Sequence, residues 1–252
     1  SIVGRCSKLM TVLNGISVPG VDRHKKPKEN QDYFSFVDTN GLAILVCADG
    51  AGSTKHGAIG SKFISKKLIN GLSSEIDNLS EERFRSKILE TVNYSRTVLT
   101  RYSRISNEDI VLKDFASTII TVVITRKNVF VAHLGDGAAI FLDDQNKLVK
   151  SSMPENGEYI NQTYFFTNSD WEEHLRFQTL ENDFKTCLVM SDGVTPFALK
   201  GTEVFPEFVS PIINFIRESK PEASKEALAK TLSSPRSLSV STDDKTLVWY
   251  IK

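Results

Sequence analysis

Residues 117–149 read STIITVVITRKNVFVAHLGDGAAIFLDDQNKLV, and they carry the clearest structural signal in the chain. The apolar runs in this segment are short, are rich in β-branched residues and alternate with tight polar turns, as is typical of β-strands. The runs cover 117–125, 129–134, 138–142 and 148–149, and the turns cover 126–128, 135–137 and 143–146. Because each turn is only a few residues long, the pattern predicts an antiparallel meander.

Further strands and helices surround this segment. Short apolar runs predict strands at 33–37, 42–48, 186–190 and 246–251. Between the first strands and the meander, the apolar spacing favours two long helices. The second begins at Ser80, a suitable N-cap, and is followed by Glu81 and Glu82 at the positive end of the helix dipole. Two more helices are predicted near 205–216 and 223–228. Helices grouped between runs of strands indicate an α+β fold.

The composition is that of an ordinary globular protein. The chain has 252 residues, 40% of them apolar, which suits one large domain or two small ones. Lys plus Arg equals Asp plus Glu, at 31 each, and this neutral balance argues against a nucleic-acid-binding protein. No apolar run reaches the roughly 18 residues of a membrane span. We therefore expect a cytoplasmic protein that does not associate with a membrane.

The three cysteines fit a reducing compartment. Their number is odd, and they lie far apart in the sequence, at Cys6, Cys47 and Cys187. We therefore expect neither a disulfide framework nor a zinc site. Cys47 and Cys187 stand within apolar runs, where a free thiol is usually a small core residue.

Several aspartates share one setting at the ends of predicted strands. Asp49 and Asp192 each follow a buried strand and precede a glycine. Asp32 precedes a strand, and Asp243 and Asp244 precede the last one. Carboxylates at strand ends are candidates for one shared metal site, and oxygen ligands select magnesium or manganese over zinc. Any one of these aspartates alone is more simply explained as a turn residue.

Six motifs make the set of aspartates specific, because they occur in a characteristic order. They are Glu29-Asn30-Gln31-Asp32, Ala48-Asp49-Gly50-Ala51-Gly52, Ala116-Ser117-Thr118, Gly135-Asp136-Gly137, Ser191-Asp192-Gly193-Val194 and Asp243-Asp244-Lys245-Thr246. Over residues 29–250 the chain resembles the metal-dependent serine/threonine protein phosphatase family of the 2C type. The resemblance implies a β-sandwich of two packed antiparallel β-sheets flanked by α-helices, in four layers α-β-β-α. It also implies a single phosphatase domain over residues 1–252.

The resemblance further implies a catalytic metal site. Asp49, Asp192 and Asp243 match the family's direct metal ligands, together with the carbonyl of Gly50. Asp32 matches an acidic residue that contacts the metals directly or through water. These four aspartates form the expected catalytic set, which holds two Mg²⁺ or Mn²⁺ ions, with a third in some relatives. Of the adjacent pair, the motif alignment selects Asp243, and Asp244 is expected outside the direct ligands or in solvent.

The implied activity is that of a serine/threonine protein phosphatase. Two ions would activate a water that hydrolyses phosphoserine and phosphothreonine without a phosphoenzyme. The expected partners are a phosphorylated protein substrate and the serine/threonine kinase that makes it, with no nucleic acid and no membrane. The protein itself is expected to be a monomer.

Two positions near the first motif depart from the family pattern. Gln31 stands where the family has Glu. The arginine with which the family binds the phosphate is missing, and Pro27 stands near its position. A subgroup of bacterial relatives is similar here, with a histidine upstream and Gln-Asp in place of Glu-Asp. We therefore expect His24 and Lys28 to bind the phosphate in place of the arginine, with the weaker directionality of lysine.

Other residues leave alternatives open. The segment 156–163 also resembles the bacterial subgroup, in a region where other relatives carry a flap and an aspartate for a third metal. Glu158 is either a substitute for that aspartate or a solvated loop residue. His56 follows Asp49 closely and is either a residue at the rim of the site or a bystander, whereas His133 lies in an apolar strand and is expected in the core.

Two function classes remain after other motifs are excluded. Residues 50–55 have neither Walker nor Rossmann spacing, and the chain has no Gly-x-Ser-x-Gly elbow. The first class is an active phosphatase, which retention of Asp49, Asp192 and Asp243 favours. The second is a weak or inactive module of the same fold that binds a phosphoprotein, which Gln31 and the missing arginine favour.

Overall fold

Two five-stranded β-sheets form the centre of the protein in the computed structural model, which describes residues 11–39, 42–74, 79–106, 109–154 and 162–252. The first sheet contains, in spatial order, β1 (Val12–Val18), β12 (Lys245–Ile251), β9 (Thr186–Met190), β6 (Ala138–Leu142) and β7 (Leu148–Ser152). The second sheet contains β2 (Asp32–Thr39), β3 (Leu42–Asp49), β4 (Ile119–Ile124), β5 (Asn128–Leu134) and β8 (Arg176–Glu181). All neighbouring strands in both sheets are antiparallel. A separate small hairpin joins β10 (Leu199–Lys200) and β11 (Glu203–Val204).

Helices occupy the segments between these strands. They are α1 (Gly57–Ser73), α2 (Glu81–Ile105), α3 (Trp171–His174), α4 (Thr195–Ala198), α5 (Pro206–Glu218), α6 (Pro221–Leu232) and α7 (Pro235–Val240), with a 3-10 helix at Leu112–Phe115. The predicted N-cap of α2 is confirmed, because the Ser80 side chain accepts a hydrogen bond from the Arg83 amide. Among the described residues, no helix combines the length and the apolar character needed to cross a bilayer.

Three apolar clusters hold the helices and sheets in layers. The first cluster lies between the second sheet and the long helices, and includes Ile64 of α1 and Ile88 of α2. The second fills the space between the two sheets around Leu45 of β3. The third lies between the first sheet and α5 and α6, around Trp249 and Ile213. The layer order is therefore α-β-β-α, and the predicted fold class is confirmed.

The position of strand β3 between two apolar clusters explains why its sequence is apolar throughout. Leu45 and Cys47 point into the cluster between the sheets, whereas Ile44 and Val46 point towards α1 and α2. Both faces are buried, so this strand shows no alternation of polar and apolar residues. Burying each aliphatic side chain of this size contributes about 1.5–3 kcal/mol to stability, which fixes the strand that ends at Asp49.

The predicted meander is wrong at one turn. Strands β4 and β5 pair in the second sheet and β6 and β7 pair in the first, so the turn 135–137 carries the chain from one sheet to the other. Gly135 has a φ angle of 117°, and an added Cβ would lie 2.5 Å from Thr118 Cγ2. An added Cβ at Gly137 would lie 2.5 Å from the Met190 carbonyl oxygen. The glycines therefore permit a tight crossing where a polar turn alone suggests a hairpin.

We expect Gly135→Ala to lower the free energy of unfolding by about 2–4 kcal/mol, because it combines backbone strain with a steric clash. Gly201→Ala is the matched control, since Gly201 also has a positive φ angle, of 63°, but no described residue lies within 4 Å of an added Cβ. Its loss should be only about 1 kcal/mol. Urea denaturation of both variants measures the difference, and equal losses would contradict the role assigned to the crossing.

Candidate metal centre

The two strands β2 and β3 bring the first two aspartates together. Asp32 is the first residue of β2 and Asp49 is the last residue of β3, and the two are directly paired in the antiparallel register. The Asp49 amide donates to Thr118 Oγ1 at 3.0 Å, and the Thr118 amide donates to the Asp49 carbonyl at 2.9 Å. The Ala116-Ser117-Thr118 motif therefore fixes the backbone of Asp49.

A triad of carboxylates forms where the sheets meet. Asp49, Asp136 and Asp192 each offer an oxygen, and these oxygens lie within 4.8 Å of one another. Asp192 follows β9 in the first sheet, Asp49 ends β3 in the second, and Asp136 lies in the turn that crosses between them. Sequence reasoning did not single out Asp136, although it follows a strand and precedes a glycine, as Asp49 and Asp192 do.

The triad opens onto a cavity of about 160 Å³. Its walls are Asp49, Ala51, Gly52, Ser53, Thr118, Asp136, Thr163, Phe165, Asp192 and Asp243. Asp243 stands at the exposed side of this cavity, with 55% of its side chain accessible, and its Oδ1 lies 3.6 Å from Lys28 Nζ. The structure thus brings three of the four predicted aspartates to one cavity and adds Asp136.

Asp32 lies beside this cavity but is not among the residues that line it. Its side chain is buried, and its Oδ2 accepts a hydrogen bond from Ser191 Oγ at 2.7 Å. Ser191 Oγ in turn accepts from the Thr246 amide at 3.0 Å. Asp32 is therefore tied to both sheets, and whether it contacts a metal directly or through water stays a prediction.

Gly50 has the close backbone approach that its motif implies. Its amide donates to the Gln31 carbonyl at 3.1 Å, and an added Cβ would lie 2.5 Å from the Gly57 carbonyl carbon. No side chain fits there, so the backbone after Asp49 is held against the start of α1.

Burial and mutual repulsion raise the pKa values of the clustered carboxyls. Burial is the main cause of a raised pKa for Asp32, to about 7, and for Asp192, to about 6. Burial and then the charges of Asp32 and Asp192 hold the pKa of Asp49 well above its usual range. Burial also raises the pKa of Asp136. Each carboxylate therefore makes its neighbours harder to ionise.

The donor set fits hard divalent cations. Asp32 Oδ1, Asp136 Oδ1 and Asp192 Oδ1 are buried and have no hydrogen-bond partner among the described residues. An unpartnered buried carboxylate oxygen is costly in water-free surroundings, and a cation would satisfy it. Oxygen ligands of this kind suit Mg²⁺ and Mn²⁺.

The predicted phosphate-binding residues lie on different parts of the loop before β2. Lys28 is beside Asp243, as described above. His24 is exposed in the turn between the bridged residues Val21 and Pro27, where its Nε2 accepts from Arg23 Nε at 3.0 Å. The assignment of phosphate binding to both residues stays a prediction.

Neither the other histidines nor the two described cysteines line this cavity. His56 stacks on Phe115 with ring centroids 5.5 Å apart and is not a lining residue. His133 is fully buried, as expected, with Nδ1 at 2.7 Å from Ser152 Oγ, and burial lowers its pKa to about 3. Cys47 and Cys187 are buried free thiols, as predicted.

Most of the segment 156–163, including Glu158, lies outside the described residues, which omit 155–161. Cys6 also lies outside them. Thr163, at the end of the segment 156–163, is described, and its hydroxyl donates to Asp136 Oδ2.

Comparisons with known proteins agree with this geometry. Residues 20–233 match the profile of the family described as protein phosphatase 2C. The chain is 26% identical to serine/threonine-protein phosphatase 3 of Escherichia coli strain K12 over 216 residues, which are 83% of this chain and 84% of that protein. The crystal structure of the serine/threonine phosphatase Stp1 from Staphylococcus aureus has a similar fold, with a TM-score of 0.65 and 19% identity over 100% of this chain and 99% of that one.

A second solved structure is similar in fold and contains metal. The catalytic domain of the serine/threonine protein phosphatase PstP, in complex with two manganese ions, has a TM-score of 0.61 and 17% identity. The comparison covers 96% of this chain and 97% of that one.

The raised pKa values predict how the metal-free protein responds to pH. Between about pH 4 and about pH 7 the folded state binds more protons than the unfolded state, so the free energy of unfolding falls as pH rises through that window. One unit of pKa corresponds to about 1.4 kcal/mol, and about 1 kcal/mol moves the melting temperature of a protein of this size by about 2–4 °C. We expect the melting temperature of chelator-treated protein to fall by several degrees across the window, and saturating Mn²⁺ to remove most of the fall.

Two variants separate the carboxylate cluster from the other acidic groups in this measurement. Asp136→Asn should flatten the dependence, because it removes one charge from the cluster. Asp144→Asn, at an exposed turn position, should leave it unchanged. The same slope in Asp136→Asn and the original protein would contradict the assignment.

Proposed function

Because the chain belongs to the protein phosphatase 2C family, we propose that it hydrolyses phosphate esters on serine and threonine side chains of proteins with the help of Mg²⁺ or Mn²⁺. The observation that carries this proposal is the carboxylate triad of Asp49, Asp136 and Asp192, which opens onto a cavity with a lysine at its exposed side. A dianionic phosphate ester needs such a site, since cations must offset its charge.

In this proposal Asp49, Asp192, Asp243 and the Gly50 carbonyl would hold two ions, with Asp32 close by, and Asp136 would be available for a third. Such ions lower the pKa of a nearby water and offset charge on the phosphoryl oxygens. The protein supplies the rigid frame. Thr118 holds the backbone of Asp49 and Ser191 holds the side chain of Asp32.

Protonation of the leaving serine or threonine oxygen is assigned to water. Among the described residues, no histidine lines the cavity. His56 stacks on Phe115 and His133 is buried against Ser152, so neither is poised to donate a proton. The exposed side of the cavity at Asp243 leaves solvent close to the leaving group.

Phosphate binding is assigned mainly to Lys28. Its ion pair with Asp243 is long, at 3.6 Å, and both side chains are partly exposed, at 39% and 55%. Exposed pairs of this kind contribute only about 0–1 kcal/mol, so an arriving phosphate can take the ammonium group from Asp243 at little cost. His24 remains a second candidate, although its observed hydrogen bonds are to residues of its own turn.

The biological setting follows from this chemistry. The substrate is a phosphorylated protein, and a serine/threonine kinase must supply it. Buried free thiols at Cys47 and Cys187 support a reducing compartment, and hence the cytoplasm. We treat residues 1–252 as one phosphatase domain that acts as a monomer.

Removal of one ligand tests the proposed activity. We expect Mn²⁺-dependent hydrolysis of p-nitrophenyl phosphate and of a phosphothreonine peptide, and a loss of about 100-fold or more in kcat/KM for Asp192→Asn. Asp144→Asn is the charge-matched control and should retain activity. Absence of hydrolysis by the folded, Mn²⁺-saturated protein would support the inactive phosphoprotein-binding module instead.

Replacement of Lys28 tests the phosphate contact. We expect Lys28→Ala to raise KM for p-nitrophenyl phosphate by about fivefold and to change kcat less, because a charge-assisted contact is lost from substrate binding. Lys26→Ala, in the same loop, is the control. A histidine contact would instead show as a raised KM in His24→Ala. Unchanged KM in both Lys28→Ala and His24→Ala would exclude this loop from the site.

A further inference from the structure

Asp244 is a buried carboxylate to which neither metal binding nor phosphate binding has been assigned. Only 4% of its surface is exposed, in contrast to the neighbouring Asp243 at the cavity. Its Oδ1 accepts a hydrogen bond from the Gly20 amide at 2.6 Å, and its Oδ2 accepts from the Gln31 amide at 2.7 Å. One side chain at the start of β12 therefore holds two points of the loop before β2.

Each of these two amides leads directly to a residue of the proposed site. The Gly20 carbonyl accepts from the Lys28 amide at 3.0 Å, so the first contact fixes the backbone that carries Lys28. Gln31 immediately precedes Asp32, and the Gln31 carbonyl accepts from the Gly50 amide at 3.1 Å. The second contact therefore fixes the start of β2 and the backbone beside Asp49.

The close approach of the loop to Asp244 is specified independently by a glycine. An added Cβ at Gly20 would lie 2.3 Å from the Thr242 carbonyl oxygen and 2.8 Å from the Asp244 nitrogen. The Val21 amide also donates to the Thr242 carbonyl at 2.8 Å. The loop is thus built to lie directly against residues 242–244.

The chemistry of the contact requires a carboxylate. Both oxygens of Asp244 accept from backbone N–H groups, and an asparagine would present its own N–H₂ group to one of them. The adjacent Lys245 is also buried, and its Nζ donates to the Asp243 carbonyl at 2.8 Å. Both oxygens of Asp244 therefore have a backbone donor, and the backbone that carries it is held by Lys245.

We propose that Asp244 is a positioning residue for the phosphatase reaction, which holds Lys28 and Asp32 in register with the carboxylates of both sheets. This inference rests on the proposed function. It assigns to Asp244 no contact with substrate or metal. Phosphate binding by Lys28 then depends on the Asp244 side chain, which lies immediately before β12.

The first experiment compares Asp244→Asn with Asp143→Asn. Asp143 is the matched control, because its Oδ1 also accepts from two backbone amides, those of Gln145 and Lys147, in the turn between β6 and β7. We expect Asp244→Asn to raise KM for p-nitrophenyl phosphate by about tenfold and to weaken Mn²⁺ binding measured by calorimetry. Asp143→Asn should alter neither quantity, whatever its effect on the melting temperature.

The second experiment asks whether Asp244 acts through Lys28. In the Asp244→Asn background, Lys28→Ala should raise KM by less than about twofold, compared with about fivefold in the original protein, because the lysine is already misplaced. Independent, multiplicative effects of the two substitutions would overturn the inference. So would a folded Asp244→Asn protein with unchanged KM and unchanged Mn²⁺ affinity.

A longer side chain covers the case in which Asp244→Asn does not fold. Asp244→Glu keeps both carboxylate oxygens but adds one methylene, so it should fold with a raised KM, and an unchanged KM would overturn the inference. Failure of the proposed function is recognised separately. It would show as no Mn²⁺-dependent hydrolysis by the original protein, whereas failure of this inference leaves that hydrolysis intact.

Discussion

Repulsion among buried carboxylates is the constraint on which the arrangement of the protein depends. Asp49, Asp136 and Asp192 are brought within 4.8 Å of one another, and burial makes each harder to ionise. Such a cluster persists only where the surrounding structure leaves its members no freedom to separate. The two sheets supply that rigidity, because each carboxylate is attached to the end of a strand whose side chains are buried.

The non-acidic residues of the sequence motifs hold the carboxylates in place. Thr118 bonds the backbone of Asp49 on both sides, and Ser191 connects the Asp32 side chain to the first sheet. Gly50 and Gly135 permit backbone approaches that no side chain would allow. The motifs can therefore be understood as supports for four carboxylates, and their polar and glycine positions matter as much as the acidic ones.

The sequence predicted the parts of the fold that are decided by local burial. Strands such as β3 and β9 are apolar throughout because both faces are covered, and they were recognised for that reason. Strands β1 and β8 were missed, since they are only partly buried and carry polar residues along their length. The turn at 135–137 was recognised as a turn, but local chemistry does not report which sheet the next strand joins.

The same distinction applies to the site. Asp49, Asp192 and Asp243 were predicted as metal ligands from motifs and line one cavity, whereas Asp136 was placed in a motif but not among the ligands. The pairing of Lys28 with Asp243 and the contacts of Asp244 join segments more than 200 residues apart. No local pattern encodes such contacts, because they depend on β12 lying between β1 and β9.

The position of β12 also has a consequence for the newly made chain. The Gly20 amide cannot bond its acceptor, Asp244, until 224 more residues have been added to the chain. Strand β1 cannot pair with β12 until the same region has been made. At roughly 5–20 residues per second, a ribosome needs about 10–45 s to add that length. During this interval β1 is an unpaired strand edge, open to chaperones or to wrong partners. The first sheet is completed only when this last strand inserts between β1 and β9.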